Sequence, residues 1–434
     1  MATWKERLPT EVAQLILCHA TDAKSLQSLA LSSSVFFRSF KGARSIILLA
    51  VLENEVGQVM IPHAQHMARS ANLQIPLYSI EEEVQEILRE SREANSTLWT
   101  LQEALELSRL RPHLEYFADR YAESICSAAK GGLTLIRQVE KDRIRCAFYR
   151  FQTYCNLFGL SGNTSNVRPD CQSRKEEFLD KLPPWEVEQL VSVHEYLLGI
   201  LSEGECHPNR GCACADKCVA FNDVAEHDIE LGELNVAWLG RSTNDLRYKE
   251  YFMSFGLEFL HKVDQTKDYD KRYALFAIKY DSDRDFLSAS FEIESTIEEV
   301  DKPLKDFADN QIKGWFPASS LADTDDGPFE AWKWAYADCH FLYDLTEFVR
   351  LRKLGYVFLD ADRLSSFFLN PGNAILWSMN WDEYFAEQTQ LQLFQHKSFE
   401  KRSELWASGW RGWWSENDQS KMVWCTEWKG KGMS

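Results

Sequence analysis

The spacing of apolar residues between about residue 80 and residue 200 constrains the fold of this chain more than any other feature. The stretch SIEEEVQEILRESREANSTLWTLQEALELSRLRPHLEYFADRYAESICSAA repeats leucine and aromatic residues every three or four positions, with charged residues between them. This spacing places the apolar side chains on one face of a helix, and Pro112 is expected to interrupt it. Strand patterns elsewhere are weak and short. The sequence therefore predicts a mainly α-helical fold with few short strands.

Two further signals mark helix ends. The stretch EKDRIRCAFYRFQTYCNLFGL ends at Gly159, and glycine is common just beyond the last residue of a helix. Pro183 and Pro184 precede WEVEQLVSVHEYLLGIL, and proline is favoured in the first turn of a helix. One helix is therefore expected to end at Gly159 and another to begin at the two prolines.

Charge and composition exclude several classes of partner. The chain of 434 residues has a formal net charge of −18, which disfavours nucleic acid or an anionic membrane surface as its main partner. It contains no run of 18 apolar residues, so membrane insertion is not expected. The amino terminus is too polar for a secretory signal. We expect the 11 cysteines to be reduced thiols in a cytoplasmic protein.

The first sixty residues carry three short helical patterns and a longer apolar one. Leu8-Pro9 precedes the first pattern, and Asp22 is placed to cap the second. A strongly apolar helix is expected from about residue 46 to residue 56. In the first pattern, the apolar residues at helical spacing are Val12, Leu15 and Ile16.

This segment resembles an F-box through its LPTE opening, its spaced leucines and its serine–aromatic stretch. The chain is also similar to a set of fungal proteins with an F-box-like amino end, some of them encoded beside enzymes of secondary metabolism. LPPWEVEQLVSVHEYLLGIL, GPFEAWKWAY, RKLGYVFLDADRL and RSELWASGWRGWW carry that similarity. The resemblance implies an F-box-like helical segment over 1–57, fused to a mostly helical body over 58–434 with an aromatic-rich C-terminal quarter.

The F-box resemblance leaves two roles open for the amino-terminal segment. If it still docks the Skp-type linker protein of a ubiquitin ligase, the resemblance makes Leu8 and Pro9 partner-binding residues. If it does not, the helices only pack on the body. The stretch LALSSSVFFRSF has one arginine and no tryptophan, where F-boxes usually carry basic residues and a tryptophan. No repeat of 20–50 residues, such as many substrate-reading domains have, is present.

A cysteine-rich loop spans residues 204–223. Thiolates at close spacing are ligands that zinc prefers, but a structural zinc site normally shows two separate ligand pairs. The loop is therefore either a group of free thiols, a structural zinc site or a disulfide. The candidate zinc ligands are Cys206, Cys212, Cys214 and Cys218.

Two acidic segments have both a catalytic and a structural interpretation. Asp323-Thr-Asp325-Asp326 has the spacing with which some terpene cyclases protonate an alkene, but Asp-Asp-Gly-Pro is also ordinary turn chemistry. Asp360 and Asp362 flank an alanine just before Arg363, which favours an ion-pair network or a helix cap over a pair of catalytic acids.

Tryptophan is concentrated in the last quarter, where 11 of the 15 lie beyond residue 310. Trp406, Trp410 and Trp414 recur every four residues, so on a helix they would form one apolar stripe. That stripe is a core helix, the wall of an apolar ligand pocket or an exposed partner patch. For the pocket, the predicted substrate-binding residues are Trp332, Trp334, Trp377, Trp381, Trp406, Trp410 and Trp414.

Two functions follow from these features. The first is a cofactor-independent cyclase of the Diels–Alder type, since the sequence lacks a nucleophile elbow, P-loop or dinucleotide motif and the resembled fungal set includes a norbornene-forming cyclase. Such an enzyme would shape a small apolar terpenoid- or polyketide-like substrate in an aromatic-lined pocket, and His340 and Tyr343 are its candidate catalytic residues for polarising a carbonyl. The alternative is an F-box substrate adaptor of a Skp–cullin ubiquitin ligase.

Overall fold

The protein is described here from a computed structural model that covers residues 8–72, 99–129, 133, 135–159, 177–202, 249–266, 271, 275, 286–292, 307–317, 325–336, 351–369 and scattered positions between 401 and 424. These residues are mainly helical, which confirms the predicted fold class. The chain divides into two compact units. Unit 1 comprises Met1–Glu195, Ser254–Glu258 and Phe286–Asn370, and unit 2 comprises Tyr196–Met253, Phe259–Asp285 and Pro371–Ser434.

The described α-helices include four short ones at the amino end and three long ones in the middle of the chain. In chain order, the α-helices are α1 (Thr10–Cys18), α2 (Ala23–Leu31), α3 (Ser34–Gly42), α4 (Arg44–Val56), α5 (Ile61–Asn72), α6 (Leu101–Ala128), α7 (Gln138–Phe158), α8 (Pro184–Ser202), α9 (Leu257–Gln265), α10 (Leu287–Glu292), α11 (Asp309–Lys313), α12 (Gly327–Tyr336) and α13 (Ala361–Leu364). Short 3₁₀ helices lie at Gln58–Met60, Leu179–Lys181 and Tyr356–Phe358, and a π-helical turn follows at Ser365–Leu369. The strands are β1 (Trp410–Gly412) and β2 (Met422–Trp424).

The amino-terminal helices α1–α4 follow the local signals in the sequence. The Asp22 carboxylate accepts the backbone N–H of Ser25 at 2.8 Å, so the predicted cap of α2 is confirmed. The apolar helix expected from about residue 46 to residue 56 is α4, which begins two residues earlier and ends before Gly57. Ala13 and Leu17 on α1 are buried, and α1 packs against α3 and α4. The boundary expected after residue 57 stays a prediction.

The long helix α6 runs through Pro112, so the expected break at that residue is wrong. A proline inside a helix removes one backbone hydrogen bond and crowds the preceding turn. Leu110, Leu114 and Phe117, on either side of the proline, are buried. Their packing against α5 and α7 outweighs the local penalty, because tertiary burial contributes more to helix stability than intrinsic propensity does.

The ends of α7 and α8 agree with the sequence signals. Gly159 caps α7, and a Cβ atom there would lie 2.2 Å from the Cys155 carbonyl oxygen and 2.5 Å from that of Ser254. Only glycine fits so close an approach of backbones. α8 begins at Pro184, as predicted.

One buried carboxylate joins three helices near the amino end. Glu55, on α4, accepts the backbone N–H of Ala23 at 3.2 Å, at the start of α2. The hydroxyl of Ser108, on α6, donates to the same carboxylate at 2.8 Å. Glu55 is 5% exposed, so these donors replace the water that it has lost. α2 and α4 are thereby tied to the long helix α6.

In unit 2, the described part of the carboxyl-terminal segment contains an antiparallel ribbon of β1 and β2. Trp410 pairs with Trp424 across the ribbon, and their ring centroids lie 5.2 Å apart at a nearly perpendicular angle. The prediction that Trp410 lies on a helical stripe is therefore wrong. Gly409, at φ +99°, breaks the helical period just before it. Trp414 is buried, whereas Trp406 lies outside the described residues.

Among the described residues, no single helix is both long and apolar enough to cross a membrane. The pair Arg44–Val56 and Gln58–Ala71 reaches the length and composition of a span only when its two members are taken together, and it bends by 106° at the junction.

We expect Glu55→Ala to lower the free energy of unfolding by about 1–3 kcal/mol, because the buried Ser108 hydroxyl loses its acceptor and the Ala23 N–H keeps only the Ser108 oxygen. Glu53→Ala is the matched control, since Glu53 lies on the same helix and is exposed, and it should change stability by less than about 0.5 kcal/mol. Urea unfolding followed by circular dichroism measures both. Equal effects of the two substitutions would contradict the structural role of Glu55.

Burial raises the pKa of Glu55 above its usual range, although the hydrogen bonds from Ser108 and Ala23 oppose that rise. Because its pKa is higher in the folded state, proton binding by Glu55 stabilises that state. This stabilisation is complete below the pKa of the unfolded state, near 4.5, and is lost as the pH rises through the pKa of the native state. Glu55→Gln imitates the protonated form. The unfolding free energy of Glu55→Gln minus that of the wild type should increase from about pH 4 to about pH 7. A difference that is constant or falls with pH in urea titrations would refute this.

Candidate functional site

Most residues predicted to form the pocket and the zinc site lie outside the described part of the chain. These residues are His340, Tyr343, Trp377, Trp381, Trp406, Cys206, Cys212, Cys214 and Cys218. Within the part that the structure describes, no group of three or more histidine, cysteine, aspartate or glutamate side chains could hold a metal ion. The catalytic pair and the zinc ligands therefore stay predictions.

Trp332 is packed among aromatic side chains of unit 1. Its ring centroid lies 5.7 Å from that of Phe316 and 5.9 Å from that of Tyr336. Trp185, which opens α8, packs edge-on against Phe329 at 5.4 Å and also contacts Trp332. These contacts fill the surroundings of Trp332 with protein, as in an ordinary aromatic core.

The other described tryptophans of the predicted pocket are distributed between the two units. Trp334 lies beside Trp332 on α12 and is half-buried. Trp410 and Trp414 belong to unit 2, where Trp410 contacts Trp424.

Glu188, on α8, is the centre of a buried polar cluster. Its Oε1 accepts Arg352 Nε at 2.7 Å and the Tyr356 hydroxyl at 3.0 Å. Its Oε2 accepts Arg352 Nη2 at 3.1 Å and the Tyr336 hydroxyl at 3.0 Å. The side chains of Glu188 and Arg352 are each 1% exposed. Protein donors therefore replace the whole hydration of this carboxylate.

Arg352 connects this cluster to one further helix, α6. Its carbonyl oxygen accepts the Tyr121 hydroxyl of α6 at 2.8 Å, and its Nη1 pairs with Glu195, which lies on α8 as Glu188 does. Burial alone would lower the pKa of Arg352, but the charges of Glu188 and Glu195 outweigh it and raise that pKa. Burial and the charge of Glu188 likewise raise the pKa of Tyr356. Arg352 and Tyr356 therefore keep their protons, and the hydrogen bonds of the cluster join α6, α8 and α12.

Asp325 is a double helix cap. Its Oδ1 accepts the backbone N–H of Gly327 at 2.8 Å, at the start of α12, and that of Ala361 at 3.0 Å, at the start of α13. Asp326 pairs with Lys313 at 2.6 Å. Asp325 and Asp326 therefore have structural contacts, as a helix cap and an ion pair in place of the predicted turn, and the first aspartate of the segment lies outside the described residues.

Asp360 and Asp362 belong to an ion-pair network. Arg137, at the start of α7, lies 3.0 Å from Asp360 and 2.8 Å from Asp362. The buried Arg143 lies 2.9 Å from the other oxygen of Asp360 and donates to the Phe358 carbonyl at 2.8 Å. The ion-pair interpretation of these aspartates is confirmed, and arginines of α7 and its cap lie within 3.0 Å of their oxygens.

Helix α1, near the amino end, carries apolar side chains that are exposed to solvent. The residues that define its helical pattern are exposed, at 41% for Val12, 59% for Leu15 and 39% for Ile16. They lie three and four positions apart, so they share one face, which we call the α1 apolar face. Leu8 and Pro9, just before the helix, are half-buried and exposed respectively. Apolar residues grouped on an exposed face are typical of an interaction surface.

Sequence reasoning did not single out Glu188 and Arg352, although both lie in stretches that carry the fungal resemblance. The sequence did contain a signal for this buried carboxylate. Glu186 and Glu188 interrupt the otherwise apolar start of α8, where Val187 and Leu190 are buried. A carboxylate within a fully buried helix requires a cationic partner, and this predicts an arginine elsewhere without identifying it.

Comparison with known proteins yields no relative: no family model, curated protein or solved structure matches this chain.

We expect Glu188→Gln to lower the free energy of unfolding by about 3–5 kcal/mol, because it leaves Arg352 buried without its main counter-charge. Glu195→Gln is the comparison variant, since the Glu195 side chain is 23% exposed and water can compensate for the lost charge. Its effect should be smaller by at least about 2 kcal/mol. Chemical unfolding of both variants measures this, and equal losses would remove Glu188 from the centre of the cluster.

Proposed function

We propose that this protein is a substrate adaptor of the F-box type, which docks a Skp-type linker protein through its amino-terminal helices. The observation that carries the proposal is the α1 apolar face, formed by Val12, Leu15 and Ile16. It follows directly after Leu8 and Pro9, the residues for which the F-box resemblance implies partner contact. The half-buried Leu8 and the exposed Pro9 extend that surface toward the amino terminus.

The fold of α1 does not require this outward face. Ala13 and Leu17 are fully buried and anchor the helix against α3 and α4. Full burial of one valine, leucine or isoleucine side chain is worth about 1.5–3 kcal/mol. Val12, Leu15 and Ile16 are already 41–61% buried, so covering what remains exposed of all three is worth about 2–4 kcal/mol, which a partner on this face would recover on binding.

The hypothesis of a Diels–Alder type cyclase stays a prediction from the sequence. Its candidate catalytic residues, His340 and Tyr343, lie outside the described residues. Among the described ones, Trp332 is enclosed by Phe316, Phe329 and Tyr336. This packing favours the core interpretation of Trp332, so the adaptor function is the better supported of the two.

We expect the full chain to co-purify with a Skp-type linker protein and the double variant Leu15→Ser, Ile16→Ser to lose that complex. Both positions are exposed, so the variant should keep the wild-type circular dichroism spectrum and unfolding midpoint. Size-exclusion chromatography of the mixed proteins measures the complex.

Leu135→Ser, Val139→Ser is the matched control, because it makes the same kind of change at exposed apolar residues outside the amino-terminal helices. This control should bind the linker as the wild type does. Absence of a wild-type complex, or equal binding by the α1 variant, would refute the adaptor function.

A further inference from the structure

Helix α5 is enclosed by other helices, but polar and small side chains make up most of its buried residues. It packs against α4, α6 and α7. Three of its buried residues are polar and two are alanines, so apolar burial contributes less to its position than it would for a leucine-rich helix. The buried residues between 61 and 70 are Ile61, His63, Ala64, Gln65, Met67, Ala68 and Ser70.

His63 is the buried group of α5 that can change its charge near neutral pH. It is 4% exposed, and its Nε2 has no hydrogen-bond partner in the part of the chain that the structure describes. A neutral imidazole tolerates this, since only one of its nitrogens carries a proton. The imidazolium carries a proton on both nitrogens, so it would place a charged donor at Nε2 without an acceptor.

Arg150, on α7, adds a fixed positive charge near His63. Its Nη2 lies 3.0 Å from Glu186 Oε2, and its Nη1 donates to Gln189 Oε1 at 3.1 Å. These two residues of α8 hold the buried guanidinium in place, and the charge of Glu186 is paired with it. Burial, together with the positive charges of Arg150 and His66, holds the pKa of His63 well below its usual range.

Titratable groups on the other elements that pack against α5 are engaged with other residues or uncharged. On α4, Glu55 accepts the Ser108 hydroxyl, and on α6, Glu103 lies 3.5 Å from Arg69 of α5. Burial raises the pKa of the Cys146 thiol of α7 to about 12, so this thiol stays neutral. The 3₁₀ helix before α5 has no titratable residue. The charges that act on His63 are therefore positive.

We propose that α5 is an acid-sensitive element of the fold, which separates from α7 when His63 takes up a proton from solvent. The imidazolium is hydrated once α5 has separated, whereas in the packed state it lies near a guanidinium and lacks an acceptor at Nε2 among the described residues. α5 follows α4 after a single 3₁₀ turn, so the separation loosens the connection between the amino-terminal helices and the long helices. This acid response is independent of the proposed adaptor function.

Hydrogen–deuterium exchange of the full chain, followed by mass spectrometry and corrected for intrinsic exchange, measures the opening of α5. In the opened helix the histidine has its ordinary pKa near 6.5, whereas packed His63 stays neutral. The stabilisation is therefore complete above that pKa and is lost as the pH falls below it. From about pH 7.5 to about pH 5.5, the opening constant of residues 61–70 should rise about tenfold, and that of residues 110–117 of α6 should change by less than about twofold.

His63→Gln and His63→Leu should each remove this increase, because neither side chain takes up a proton. Each variant is compared with itself at the two pH values, so a general change in its stability does not affect the result. His19→Gln is the control, since His19 is exposed, and it should keep the wild-type increase. A wild-type increase in either His63 variant, or no increase in the wild type, would overturn the acid response of α5. So would an increase of the same size in α6, because the chain would then unfold as a whole.

Discussion

The buried carboxylate of Glu188 is the constraint on which most of unit 1 depends. A charge that is 1% exposed requires donors from every side, and here they come from Tyr336 at the end of α12, from Arg352 and from Tyr356. The arginine in turn holds α6 through Tyr121. Segments 148 to 168 residues from Glu188 therefore meet at its side chain, and their relative positions are fixed by hydrogen-bond geometry that apolar packing alone would not specify.

Local features of the fold were predictable where the physics is local. The Asp22 cap, the end of α7 at Gly159 and the start of α8 at Pro184 depend on residues within one turn of each other. Pro112 was misjudged because the packing that carries α6 through it comes from other helices. The helical stripe of tryptophans failed at Trp410 for a related reason. A spacing of four residues allows a helix, but it does not prevent a glycine from turning the chain into a ribbon.

The candidate interaction surface illustrates a different limit. Helical spacing located α1 and its apolar residues correctly, but spacing alone does not tell which of two apolar faces is turned inward. Ala13 and Leu17 form one face, and Leu15 and Ile16 lie on the other. The face of Ala13 and Leu17 is the buried one, because α1 packs against α3 and α4. The sequence therefore contained the residues of the surface, whereas their exposure became visible only with the neighbouring helices in place.

The bridge from Glu55 to Ser108 has a consequence for how the protein can be divided. A fragment that stops at residue 57 would retain the carboxylate and the Ala23 N–H but lose the hydroxyl contributed by α6. Removal of α6 would uncover the face of α2 that packs on it and would expose the Glu55 carboxylate to solvent. The amino-terminal helices therefore draw part of their stability from α6, through the hydrogen bond between Ser108 and Glu55 and the packing of α2 on α6.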